Sequence, residues 1–299
     1  MLIVGASAAG LATAEALRNK GYDGRLTFVG DEARLLYDRP PLSKQVLSGA
    51  WQPERVRLRD GQAIYKLDAE FQLGRRAAGL DAAGRKVLLD GGERVAFDAL
   101  VIATGVTPRR LPGDDLEGVH VLRTLDDALA LRADLLARPK VVVVGAGFLG
   151  AEVAAVARTM GLEVTLVDPL PVPMRRQFGD MIGKLVGQTH SDHGIALRLG
   201  AGVARFVESA GRVAAVELAD GTKLDADVVV VVVVVGVGST PATDWLADSG
   251  LVLGNGVECD AECRAAPGIY AVPGSAVSRR TVEPVCAGRA APGPCEPAG

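Results

Sequence analysis

The sequence predicts an α/β fold made of two parallel-sheet units, one threaded into the other. Three observations carry this reading. A strand–glycine turn–helix–strand unit opens the chain, a second copy begins at Lys140, and an acidic residue closes each copy. The 299 residues exceed one ordinary core and suit two domains.

In the first copy, Leu2–Val4 is a short apolar strand ending in Gly5, Ala8–Asn19 reads as a helix, and Arg25–Val29 as the next strand. The turn is Gly5-Ala6-Ser7-Ala8-Ala9-Gly10. Gly5 permits the tight exit from the strand, a small residue at Ser7 permits close approach of a pyrophosphate, and Gly10 lets helix and strand touch. Phosphates then sit on backbone N–H groups at the positive end of the helix. Ser7 stands where a glycine is usual.

In the second copy, Val141–Val144 is a strand, Glu152–Met160 a helix and Glu163–Val167 a strand. Gly145-Ala146-Gly147-Phe148-Leu149-Gly150 is a complete G-x-G-x-x-G between strand and helix. Asp31 and Asp168 follow their turns by about 20 residues, where a carboxylate accepts from a ribose hydroxyl and repels a 2′-phosphate. Asp168 therefore favours NADH over NADPH, although Arg175 and Arg176 lie close behind it. The two units read as Rossmann-like, three-layer domains.

Between the copies, Ala99–Ala103 is a strand that exits through Thr104-Gly105, and Asp126–Ala137 is a helix. Val203 to Leu224 suggests an antiparallel meander with turns at Gly211 and Asp220-Gly221. The valine run Val228–Val235 is too short for the roughly 20 apolar residues of a membrane span and fits a buried parallel strand. It ends in Gly236-Val237-Gly238-Ser239-Thr240-Pro241, which is expected to return the chain to the first domain. Residues 1–112 and 237–299 then form one domain and 113–236 the other, with 272–299 an irregular Pro- and Gly-rich tail.

Composition narrows the classes. With 48% hydrophobic and 23% charged residues, the chain is globular. A net charge of −3 and few aromatics argue against nucleic acid. Cys259, Cys263, Cys286 and Cys295 form no C-x-x-C pair, so neither a redox dithiol nor a metal site is expected. His120, His190 and His193 need no catalytic role.

Tyr37-Asp38-Arg39-Pro40-Pro41-Leu42-Ser43-Lys44 after Gly30-Asp31-Glu32, the Ala103-Thr104-Gly105 exit, Leu122-Arg123-Thr124-Leu125-Asp126-Asp127-Ala128 and Thr240-Pro241-Ala242-Thr243-Asp244-Trp245-Leu246 are specific in combination. With the two glycine turns, they resemble the ferredoxin reductases of bacterial oxygenase systems, in the right order over about residues 1–271. The resemblance implies FAD on the first unit, with Gly5, Ser7, Ala9, Gly10, Asp31, Arg39, Pro40, Lys44, Ala77, Thr104, Gly105 and Arg123. It implies NADH on the second, with Gly145, Gly147, Phe148, Leu149, Gly150, Glu152 and Asp168. Lys44 would reach the flavin ring and pair with Glu152, an ammonium there stabilising charge on reduced flavin. The implied activity passes hydride from NADH to FAD and electrons onward to a ferredoxin-type iron–sulphur partner, in the cytoplasm, without membrane or nucleic acid.

The sequence departs from that pattern near its end. The family's Gly-Asp after an Ile-Tyr-Ala strand binds the ribityl–phosphate side of the flavin, and Ile269-Tyr270-Ala271-Val272-Pro273-Gly274-Ser275 lacks the acid. Resemblance stops there, and the family's C-terminal domain is expected to be missing. Weak FAD retention and impaired turnover follow as expectations. The alternatives are an NADH oxidase, a rubredoxin- or nitrite-type reductase, or a non-catalytic nucleotide-binding remnant.

Overall fold

A computed structural model describes residues 1–108, 110–231, 239–272 and 274–278. The chain opens with β1 (Leu2–Val4), α1 (Ala8–Asn19), β2 (Leu26–Gly30), β3 (Ala69–Leu73) and β4 (Leu100–Ile102). It continues through β5 (Val119–Val121), α2 (Leu125–Leu136), β6 (Lys140–Val144), α3 (Phe148–Thr159), β7 (Glu163–Asp168), α4 (Arg175–Asp192), β8 (Ala196–Leu199) and β9 (Val228–Val231). It then returns to its starting body with β10 (Arg264–Ala266) and β11 (Ile269–Ala271).

Two sheets follow from these strands. The first has the order β10-β11-β4-β1-β2-β3, parallel except at β10–β11. The second, β8-β7-β6-β9-β5, is parallel throughout. All strands of the second lie between β4 and β10 in sequence, so one body is inserted in the other. The connections run side by side, Val106–Pro108 pairing antiparallel with Ser239–Pro241.

Successive strand residues face opposite sides, and both sides are covered. Ile3 faces the α1 side with Leu11 and Phe28, while Leu2 and Val4 face Leu80, Val87 and Leu89 of an antiparallel layer, Ala77–Ala96. In the second sheet, Val228 and Val230 join α2 and α3, while Val229 and Val231 face Phe206 and Val216 of the predicted meander. The third layer on each sheet is thus antiparallel strand rather than helix. Double coverage explains why β9 is valine at every position.

Most expected elements appear near their expected bounds, α1 at those residues. Helix α3 begins at Phe148, four residues before the expected Glu152, because the glycine turn itself opens the helix. Helix α2 begins one residue early, after a capping box in which Thr124 accepts from the Asp127 N–H at 3.1 Å. Irregularity was expected from Val272, yet Ala276–Ser278 adds a strand parallel to Gly256–Cys259, with Ala276 against the core. Val232–Val235 of the valine run, the boundary at 236/237, the Gly236-Val237-Gly238 exit, Cys286, Cys295 and residues 279–299 lie outside the described residues.

One core belongs to both bodies. Tyr37, Leu42, Val46, Leu47 and Val56, between β2 and β3, cluster with Leu125, Ala128 and Leu131 of α2 and with Val153 and Ala154 of α3. Truncating Leu47, which is fully buried, removes part of this joint and leaves a cavity. Leu47→Ala is expected to cost about 2–5 kcal/mol. Because the core is shared, the loss should appear in one transition. Urea unfolding read at Trp51, beside the joint, and at Trp245, in the first body, should give coincident curves.

Candidate functional site

The first glycine turn packs against the end of β4. Gly5 has φ +121, and a Cβ there would run into the Ala103 carbonyl. A Cβ at Gly10 would strike the Gly5 carbonyl. Ser7 is the N-cap of α1 in extended conformation, but its hydroxyl makes no capping hydrogen bond. The helix start is therefore left to an outside acceptor. Ala9 lies in the first turn of α1.

The second turn repeats this geometry. Gly145 has φ +107, Gly147 is the extended N-cap of α3 without a side-chain cap, and a Cβ at Gly150 would strike the Gly145 carbonyl. Phe148 and Leu149 are the first residues of α3, with Phe148 exposed. Asp168 is tied to the turn: one oxygen accepts from the Ala146 N–H at 2.7 Å and the other from the Leu170 N–H at 2.8 Å. The Met174 N–H donates to the Ala146 carbonyl at 2.9 Å. Ala146 is thus held from both sides, and Asp168 orients the cradle as well as standing at the strand end.

The expected Lys44–Glu152 pair is present. Lys44 Nζ and the Ser43 hydroxyl both donate to Glu152 Oε2, at 2.7 and 2.6 Å. Pro40 opens the single 3₁₀ turn that delivers Ser43 and Lys44. Ser43 is fully buried, whereas Lys44 and Glu152 are 40% and 36% exposed at their side chains. The pair links the first body to the second turn of α3.

A further cluster lies between these features. Arg39 donates to Glu32 Oε1 at 2.7 Å and to the Arg123 carbonyl at 2.6 Å. Buried Tyr37 donates to Glu32 and accepts from the Leu125 N–H at 2.9 Å. Burial above all pushes the Tyr37 hydroxyl up, so it stays protonated. The Arg123 guanidinium approaches Gly105 and makes no hydrogen bond or ion pair among the described residues. Burial first, and Arg39 second, lower its pKa to about 10. An anion beside it would relieve that strain.

Beside Asp31, the carboxylate expected from the sequence, the structure brings a second one to the first cradle, Glu32. Asp31 is exposed and makes no hydrogen bond among the described residues, whereas Glu32 is half-buried in the arginine cluster. A signal existed: with strand β2 ending at Gly30, alternation sends Asp31 and Glu32 to opposite sides. Ala77 is buried in the antiparallel layer of the first body. Thr104 donates to the Ala242 carbonyl at 2.8 Å, and the Gly105 N–H donates to the Ser275 hydroxyl at 2.7 Å. Ser275, standing near the place of the family's acid, is fully buried.

These residues fit dinucleotides at both turns: uncapped helix starts, glycines where a Cβ would clash, and an unpaired arginine beside the first. Comparison with known proteins agrees. The model of the pyridine nucleotide-disulphide oxidoreductases matches residues 1–288. The chain belongs to this family. The biphenyl dioxygenase system ferredoxin–NAD(+) reductase component of Paraburkholderia xenovorans (strain LB400) is 39% identical over 261 residues, covering 87% of this chain and 62% of that one. Rhodocoxin reductase of Rhodococcus erythropolis is 36% identical, covering 87% and 60%. The covalent putidaredoxin reductase–putidaredoxin complex superposes with a TM-score of 0.88 at 32% identity, covering 94% of this chain and 68% of that chain. The chain therefore spans about three fifths of the length of these two sequence relatives.

Ser275→Ala removes the acceptor of the half-buried Gly105 N–H. It is expected to cost about 1–3 kcal/mol and to accelerate amide exchange at Gly105, measurable by hydrogen exchange read by NMR. Gly150→Ala is expected to be far worse, because backbone rather than a movable side chain blocks the new Cβ. The soluble folded yield on expression reads that loss.

Proposed function

We propose that the chain is an FAD-containing, NADH-dependent oxidoreductase that passes electrons to a ferredoxin-type iron–sulphur protein. The observation that carries the reading is the Lys44–Glu152 pair, which joins the first body to the helix opened by the second glycine turn. The relatives' names, ferredoxin–NAD(+) reductase and rhodocoxin reductase, support the acceptor class. The reading carries with it the cytoplasmic location expected from the sequence. In this scheme 1–112 and 237–299 serve FAD and 113–236 serve NADH.

The first cradle would hold FAD through the turn Gly5–Gly10 and Arg123, with Asp31 facing the adenosine sugar and Glu32 holding Arg39. The second would hold NADH through Gly145–Gly150. A bound flavin would supply the hydride-accepting and single-electron chemistry. The chain's part is to bind, orient and exclude water. Glu152 fixes the Lys44 ammonium, with the buried Ser43 hydroxyl as second donor. No proton has to be abstracted, so the absence of a histidine from this cluster is no obstacle.

The test is the visible spectrum of the chain reconstituted with FAD, before and after adding NADH. Flavin bands that bleach with NADH are expected. Their absence under saturating FAD, or bands that NADH leaves untouched, would overturn the reading. Glu152→Gln keeps the shape but removes the charge that fixes Lys44. It is expected to slow bleaching by roughly tenfold to a hundredfold while the folded chain still binds FAD, as fluorescence titration would show.

A further inference from the structure

The hydrogen bonds around Tyr37 close into a ring. The Tyr37 hydroxyl donates to Glu32 Oε2, and Arg39 donates to the other oxygen of that carboxylate, Oε1, at 2.7 Å. A second nitrogen of the Arg39 fork donates to the Arg123 carbonyl at 2.6 Å. Two residues further on, the Leu125 N–H donates back to the Tyr37 hydroxyl at 2.9 Å. The ring thus joins three side chains of the segment after β2 to the backbone at the entry of α2.

Its links leave little freedom. Tyr37 is buried, and the Arg39 guanidinium lies over its ring, 5.4 Å from the centroid. Leu125 is the first residue of α2, so its N–H is one of the donors that a helix leaves without an internal partner. Among the side chains of the ring, the tyrosine hydroxyl alone both donates and accepts, so the ring closes only through it. Phenylalanine in its place would strand a buried N–H and free one oxygen of Glu32.

Arg123 takes its position from this ring. Its side chain is half-buried and approaches Gly105, and the guanidinium makes no hydrogen bond or ion pair among the described residues. Its backbone, by contrast, is held at both polar groups: the carbonyl by Arg39, and the N–H by Asp127 Oδ2 at 3.0 Å. Asp127 also completes the capping box of α2. A cation with a fixed backbone and an unpaired charge is preorganised for an anion from outside, so little ordering remains to be done on binding.

We propose that Tyr37 is a positioning residue for an anionic ligand, acting through Arg123 without touching the ligand. The inference rests on the assignment of FAD to the first cradle, where the diphosphate is the anion that Arg123 would meet. Cutting the ring at Tyr37 is expected to weaken FAD by about threefold to tenfold, the lower part of the range for residues coupled in one hydrogen-bond network.

Fluorescence titration with FAD tests this in a double-mutant cycle of Tyr37→Phe and Arg123→Met. Each change alone should weaken FAD, and Tyr37→Phe should add nothing once Arg123 is Met. A merely structural role of Tyr37 would not produce that non-additivity. In the chain without FAD, phenylglyoxal should modify Arg123 faster in Tyr37→Phe than in the parent, as peptide mass spectrometry would read. Should Tyr37→Phe fail to fold, Glu32→Gln cuts the ring at the next link, because an amide offers one acceptor atom where the carboxylate offers two; the same cycle and labelling then apply. Equal weakening with and without Arg123, or none, overturns the role of Tyr37 and leaves the FAD reading standing. So does an unchanged labelling rate. A chain that binds no FAD, or whose FAD affinity Arg123→Met leaves unmoved, overturns the FAD reading and this proposal with it.

Discussion

Everything the second body can do for the first depends on the apolar joint built from the segment between β2 and β3. Burial of Leu42, Val46 and Leu47 contributes about 1.5–3 kcal/mol each. The Lys44–Glu152 pair beside them, more than a third exposed on both sides, contributes about 0–1 kcal/mol. The joint therefore fixes where the two cradles lie, and the ion pair is free to serve orientation. Other polar links across the joint, such as Arg132 to the Leu47 carbonyl at 3.0 Å and Arg34 to Asp126, refine a position that the apolar contacts have already set. A rigid joint suits chemistry that depends on holding two rings at reacting distance.

What the sequence made legible was whatever rests on local backbone physics. Glycine turns between apolar strands and helices announced both cradles, since only glycine tolerates a φ near +120 or backbone contact at the Cβ position. The valine run announced a doubly covered strand. The second carboxylate beside the first cradle, Glu32, was not legible, because its burial depends on Tyr37 and Arg39 rather than on its own neighbours. The antiparallel layer Ala77–Ala96 and helix α4 escaped the sequence reading as well. Short strands alternate weakly there, and α4 has a kink at Gly179 and leaves Met181 and Leu185 exposed. Only the fold shows that its glycines face the body.

The two cradles share a geometry and differ in electrostatics. At the second, Asp168 is spent on backbone N–H groups, which stiffens the turn and brings negative charge to the strand end. Such a site suits a sugar hydroxyl and disfavours an added phosphate. At the first, Arg39 and Arg123 stand together against a single carboxylate, Glu32, and Arg123 is left unpaired among the described residues. That surplus positive charge suits a diphosphate.

The serine at 275 acts on this balance in a definite way. An aspartate beside Gly105 would bring a negative charge towards Arg123 and offer two acceptors to a polyol. Ser275 brings no charge, and its hydroxyl already accepts from the Gly105 N–H inside the fold. The substitution therefore leaves the attraction for phosphates intact, or strengthens it, because no carboxylate pairs with Arg123 among the described residues. What it removes is recognition of hydroxyl groups between the phosphates and the ring. Selectivity for a flavin dinucleotide over other diphosphates should suffer more than affinity for the diphosphate itself, since the two are supplied by different atoms.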